Sequence, residues 1–240
     1  MDIAERILQL KEALDNVYEA GKKERNTKWW DTYLAPMRAG RPSNYAFAGP
    51  SWNVNTFYPT QDIVPLENAA NMFNRFSWNA NVSIIDLAQR LEDCGVILDI
   101  SNPSTIQGMF SYAFITRVPS LNCNSTRYTS LADLFYSAKY LVTIDELIIR
   151  DDGANTFSSA FTGCTALKNI TFTGVIGRTI SFADCPLSVE SLKNIISCLK
   201  DYTGSSEYSY TITLKSSAFS ALESQWAEMI DDKKWNLTLS

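Results

Sequence analysis

The side chains best suited to chemistry in this 240-residue chain are five cysteines and a scatter of carboxylates, with no histidine among them. A cysteine acts as nucleophile or metal ligand through its thiolate, which needs a base or cation beside it. Cys94, Cys123, Cys164, Cys185 and Cys198 are odd in number and no two stand at C-x-x-C spacing, so redox and zinc chemistry lack their usual pattern. Without an imidazole the catalytic-thiol reading also lacks its base, and all five read as reduced core thiols. Asp145 and Glu146 are neighbours in a β-prone run. Strict alternation sends such neighbours to opposite faces, which disqualifies them as a two-carboxylate catalytic pair. Asp151, Asp152 and Asn155 around Gly153 carry oxygen ligands for calcium, yet they fall where a turn between two units is expected, and the turn is the favoured reading. No phosphate-cradling glycine loop is present. The chain is expected to be no enzyme, with no catalytic residues, no metal and no cofactor; its ligand-binding residues are unknown at this level.

The elements that place these residues follow from an internal period. Met109, Phe135 and Phe161 are each 26 residues apart, and three further columns keep the register: Tyr112, Ala138 and Cys164; Ile115, Leu141 and Leu167; Val118, Ile144 and Ile170. Another F-x-x-C falls at Phe182 and Cys185. Apolar positions three apart suit a short helical turn, and the segments 118–123, 144–149 and 170–172 are β-prone. A unit this small cannot bury its apolar side alone, whereas stacked units share one core and one parallel sheet. The expected fold is therefore an α+β solenoid in which Cys164 and Cys185 point inward.

Caps flank the coils. An amphipathic helix from Val82 to Asp93 and a strand from Val96 to Ile100 should open the array. A helix from Val189 to Tyr202 with Ser188 as N-cap, a strand Tyr210 to Leu214, a helix from about Ser217 to Ile230 and a strand Trp235 to Leu239 should close it. Ahead of the array, Ile3, Ile7, Leu10, Leu14 and Val17 follow at steps of four and three, the alternation of a coiled-coil seam. They are the candidate oligomerisation residues, the alternative being an amphipathic helix folded onto its own domain. The chain thus divides into an N-terminal helix over 1–38, an aromatic-rich loop collar over 39–81, and the solenoid with its C-terminal cap over 82–240.

Composition narrows the partners. With 45% hydrophobic and 12% aromatic residues the chain can bury a sizeable core, while 21 Lys and Arg against 26 Asp and Glu leave a net charge of -5. No run of like charge could track a phosphate backbone, so nucleic acid is excluded as a partner. No apolar run follows Met1 to act as a secretory signal or approaches a membrane-spanning length. Synthesis in the cytoplasm and no membrane insertion are expected.

The run A-F-T-G-C-T-A-L-K-N-I-T-F at Ala160 to Phe172 resembles the BspA-like branch of leucine-rich repeat proteins, over about Met109 to Cys198. The words A-G-K-K near Ala20, the pair Trp29–Trp30 and Y-A-F-A-G-P-S-W at Tyr45 to Trp52 resemble leucine-rich repeat proteins of phages and prophages of gut Gram-positive bacteria. The resemblance implies a non-enzymatic virion or tail-associated protein whose leucine-rich repeat head binds a host surface glycan or a protein. Analogy with phage fibres favours a homotrimer held by the N-terminal seam. A bacterial cell-surface adhesin of the same repeat family is the alternative.

Overall fold

The computed structural model describes residues 5–7, 9–14, 16–17, 68–76, 84–95, 97–98, 100, 103–205 and 210–240. Ile3, the tryptophan pair and most of the collar lie outside the described residues. Ahead of the body, residues 5–7, 9–14 and 16–17 are helical. The body runs β1 (Ile85–Asp86), α1 (Leu87–Asp93), β2 (Ile115–Val118), β3 (Leu121–Asn122), β4 (Thr143–Ile148), β5 (Asn169–Thr173) and β6 (Ile180–Phe182). It continues through α2 (Val189–Cys198), β7 (Thr211–Leu214), α3 (Ser216–Phe219), α4 (Ser224–Asp232) and β8 (Asn236–Leu239). The fold is α+β, with helices and two sheets whose strands are all parallel.

In the larger sheet β4 is the centre: β2 and β3 pair with successive parts of one edge and β5 with the other, while β1 pairs with β2. The register sets Val118 beside Ile144, Leu121 beside Leu147 and Ile144 beside Ile170, each pair 26 residues apart. These residues are buried, because parallel neighbours at equal heights put like side chains on one face.

Behind this sheet lies a wall of turns, and here the expected register is off by one residue in the first unit. Phe110, not Met109, stacks on Phe135, with ring centroids 5.4 Å apart and planes 8° off parallel. The column continues from Phe135 to Phe161 at 5.9 Å and from Phe161 to Phe182 at 4.7 Å. It begins earlier than expected, at Phe73, which stacks on Phe110 at 5.3 Å. Residues 69–76, assigned to the collar from sequence, thus pack into the core, with Ala69, Met72, Phe73 and Phe76 fully buried. Tyr112 is 39% exposed and Ala113, at 1%, takes the inward place beside Ala138. Met109 is itself apolar and buried, so apolar spacing alone does not separate it from Phe110.

The turns are not helical either. Met109, Ser111 and Ala113 donate to carbonyls three residues back, whereas Gly108, Phe110 and Tyr112 donate to Ala132, Leu134 and Tyr136 of the next unit. The same division recurs in the next turn, where Leu134, Tyr136 and Ala138 bond locally and Asp133, Phe135 and Ser137 bond to Ser158, Ala160 and Thr162. Left-handed residues recur at fixed places: Asn71 and Arg75, Gly108 and Tyr112, Asp133 and Ser137, Ser159 and Gly163. A left-handed residue at the third place of a β-turn redirects the chain, so these runs are linked β-turns rather than helix.

The caps differ from expectation in detail. Of the helix expected over 82–93, the described residues give β1 at Ile85–Asp86 and then α1, N-capped by the Asp86 carboxylate on the Gln89 amide, and 97–98 and 100 are not strand. Ser188 does cap α2, accepting from the Ser191 amide, but the helix stops at Cys198. The Lys233 ammonium donates to the carbonyls of Ile196, Ser197 and Leu199, a favourable place for a cation because the helix dipole is negative there. The single helix expected over 217–230 is split into α3 and α4. Gly174 ends β5 at φ 110°, where a Cβ would lie 2.2 Å from the Ile149 carbonyl oxygen, so only glycine fits that crossing.

Candidate functional site

The apolar N-terminal residues are the first candidate. Ile7, Leu10, Leu14 and Val17 lie in helical segments and are 63%, 71%, 69% and 71% exposed. Their spacing puts them on one stripe of a helix, and nothing among the described residues covers that stripe. Burying such a side chain is worth about 1.5–3 kcal/mol, so the stripe carries a large unrealised gain. Ile3, the fifth seam residue, lies outside the described residues.

The thiols are placed as core. Cys123, Cys164 and Cys185 are buried, Cys94 and Cys198 half-buried, and all five are free. Cys164 donates through Sγ to the Phe135 carbonyl at 3.1 Å, and Cys185 to the Phe161 carbonyl at 3.6 Å. Each thus holds the preceding ring's backbone. Burial pushes the Cys123 and Cys164 thiols up to about 12 and raises that of Cys185 as well, which removes thiolate character at neutral pH.

The carboxylates are spent on local partners. Asp145 forms a bidentate pair with Arg117 across the sheet, at 2.6 and 2.9 Å, and Glu146 accepts from the Thr173 hydroxyl at 2.6 Å. These two acids do not alternate as expected. Ile144 and Leu147 both face the core across an irregularity in the β4–β5 register, and the residues between them are both half-buried. A bulge admits an additional residue without reversing the buried face. The loop at Asp151 and Asp152 is a turn: Asp152 pairs with Arg150 and caps the Ala154 amide. Asn155, fully buried, accepts from the Arg150 amide and donates to the Thr129 carbonyl.

A cleft of about 320 Å³ lies between α1 and the sheet, lined by Leu91, Ile97, Leu98, Arg117, Pro119 and Asp145 among others. Its ion pair is satisfied within the protein. A second surface feature crosses the first two turns, where Tyr112 meets Tyr136 edge-on at 5.4 Å and Phe114 meets Tyr140 at 5.0 Å. Arg75 lies over Tyr112, and Lys139 over Phe114 and Tyr140.

Comparison with protein-family models, with curated proteins and with solved structures finds no match to this chain. Among the described residues no helix is long and apolar enough to cross a membrane.

One pair of working residues was missed in sequence. Strand β5 has a free edge toward the C-terminal side, and α2 covers it. Ser191 Oγ accepts from the Ile170 amide at 2.9 Å, and Asn194 Oδ1 accepts from the Phe172 amide at 2.7 Å while its Nδ2 donates to the Phe172 carbonyl at 3.1 Å. The signal was available: Ser191 and Asn194 are polar positions interleaved with Leu192, Ile195 and Ile196 on the buried side of an amphipathic helix. Polar groups in that place must meet backbone partners.

Proposed function

We propose that this chain is a non-enzymatic binding protein of the BspA-like leucine-rich repeat kind, self-associated through its N-terminal helix, and that it serves as a virion or tail-associated component of a phage or prophage. The observation that carries the reading is the stripe of Ile7, Leu10, Leu14 and Val17, each more than 60% exposed. An apolar stripe of this kind on a helix is covered by like helices in a coiled coil. Two features support a solenoid head behind it: the parallel register of β2, β3, β4 and β5, 26 residues apart except past the β4–β5 irregularity, where it is 25, and the continuous ring column from Phe73 to Phe182. The phage assignment rests on the resemblance of the words at Tyr45 to Trp52. A trimer held by the seam would present three heads, and several weak contacts held together bind a repetitive surface far more tightly than one. A host surface glycan or a protein is the partner in this reading.

Light scattering of the full chain is the direct test. At low concentration, where weak contacts outside the seam do not hold, the parent should measure as an oligomer, with three copies expected, and a chain carrying Leu10→Asp and Leu14→Asp should measure as a monomer with an unchanged circular dichroism spectrum. A monomeric parent, or an oligomer indifferent to these changes, overturns the seam. Antibody against the chain should decorate particles of the phage that encodes it; unlabelled particles overturn the virion assignment.

A further inference from the structure

The two sheets end differently. The β5 edge is plugged by Ser191 and Asn194, but β8 is the last strand of the sheet β6–β7–β8, and nothing among the described residues pairs with its outer edge. Asn236 and Ser240 direct their amides inward, to the Tyr210 carbonyl at 2.9 Å and the Leu214 carbonyl at 3.0 Å. Backbone groups alternate between the two sides of a strand, so Thr238 also faces β7, and Leu237 and Leu239 turn their amides and carbonyls outward. The side chains follow a second logic. Leu237 packs against the core, whereas Leu239, on the same face of the strand, is 48% exposed. From Trp235 to Ser240 there is neither charge nor proline, the devices that normally protect a sheet edge from pairing.

We infer that the β8 edge is a self-association surface, on which β8 of a second copy pairs antiparallel about a two-fold axis through Thr238. This register sets Leu237 opposite the partner's Leu239 and Leu239 opposite the partner's Leu237. Both become hydrogen-bonded pairs that exchange their outward amides and carbonyls, while Thr238 meets its own copy in a non-hydrogen-bonded pair. Opposed threonines are a favourable cross-strand pair, and no like charges meet. On the core side, Leu239 is covered by the partner's leucines, which accounts for an apolar side chain half-exposed at the rim of the core. A second copy fits this edge because the segment is self-complementary, as an isologous two-fold contact requires. Two four-residue strands bury little area, so the contact belongs to the weak class of interfaces below about 1,200 Å². It joins chains through the C-terminal sheet and does not depend on the N-terminal seam.

The test uses the full chain carrying Leu10→Asp and Leu14→Asp, so that the N-terminal seam contributes nothing. Its mass by light scattering should rise from one copy toward two with concentration, and hydrogen exchange at the Leu237 and Leu239 amides should slow as it does. Adding Leu239→Pro removes an outward amide, and Thr238→Arg sets like charges across the two-fold on the exposed face of the strand. Each should hold the chain at one copy with the circular dichroism spectrum unchanged. A mass that stays at one copy, or a doubling that survives Thr238→Arg, overturns the inference. So do Leu237 and Leu239 amides that already exchange slowly in the monomer, since the chain itself would then cover the edge.

Discussion

Two regions of this protein are built from evenly spaced apolar residues and meet opposite fates. In the wall of turns, Phe110, Phe135, Phe161 and Phe182 recur once per unit and are buried to 1% or less. In the N-terminal helix, Ile7, Leu10, Leu14 and Val17 recur once per half-heptad and stand more than 60% exposed. The difference is where the next layer comes from. A ring in the wall is covered by the ring of the following unit of the same chain, so folding alone completes the column. The stripe on the N-terminal helix finds no cover among the described residues, and in the function proposed above it is other copies of the chain that supply it. Regular apolar spacing therefore announces that a surface will be buried and does not say by what.

The comparison is most easily broken in the ring column. Phe135→Ala or Phe161→Ala should cost about 3–5 kcal/mol, from lost burial and the cavity left between stacked neighbours. Denaturant unfolding within error of the parent would show that the column is not what holds the units together. The register is sharpened by Phe110→Ala, which should match Phe135→Ala, while Tyr112→Ala, which loses a half-exposed ring and its edge contact with Tyr136, should cost only about 0.5–1.5 kcal/mol.

A smaller effect is expected where the sheet is closed by α2. Asn194→Leu strands the Phe172 amide that Asn194 satisfies and leaves the Phe172 carbonyl with the weak Cys198 thiol donor alone, at about 1–3 kcal/mol for a buried polar group left without a partner. Unfolding of the variant measures it, and no loss would mean that water replaces the amide. The seam should behave in the reverse sense. Leu10→Ala should leave the unfolding free energy of the monomeric chain within about 0.5 kcal/mol of the parent, yet shift the mass seen by light scattering toward one copy. A large loss of monomer stability would place the helix against its own head.

The smallest effect depends on pH. The hydrogen bond from Arg150, with help from the Ala154 amide, holds the Asp152 carboxyl near 2 rather than at its ordinary 3.8. A carboxyl lowered on folding stabilises the native state above its unfolded value, and the contribution is lost as pH falls through its folded value. Between about pH 4 and 2 the parent should lose this increment, while Asp152→Asn lacks it throughout. Melting temperatures of the two should differ slightly at pH 5 and converge near pH 2. A gap that persists at pH 2 would assign the effect to packing. Because Asp152 is exposed, solvent screens the pair and the gap should be small.

Much of this protein follows from residue type and local spacing alone. The 26-residue spacing of Val118, Ile144 and Ile170 became the register of the parallel sheet, because equivalent residues in stacked strands lie side by side. Cys164 and Cys185, read as small inward hydrophobes, are buried, and Ser188 caps its helix, since both outcomes depend on residue type and near neighbours. What it left open were matters of contact between distant segments. Met109 and Phe110 are both apolar, and only the stacking of real rings decided between them. The turns looked helical because spacing by three is shared by helices and linked β-turns, while the choice depends on amides that bond 24 or 25 residues ahead. Asp145 and Glu146 lost their alternation to an irregularity made jointly by two strands. The pairing of Asn194 with the β5 edge, and the open edge of β8, exist only once segments far apart in sequence have been brought together. Local patterns fix which groups seek burial or a hydrogen bond; the tertiary structure decides which partner each finds, because a partner across space leaves no local trace.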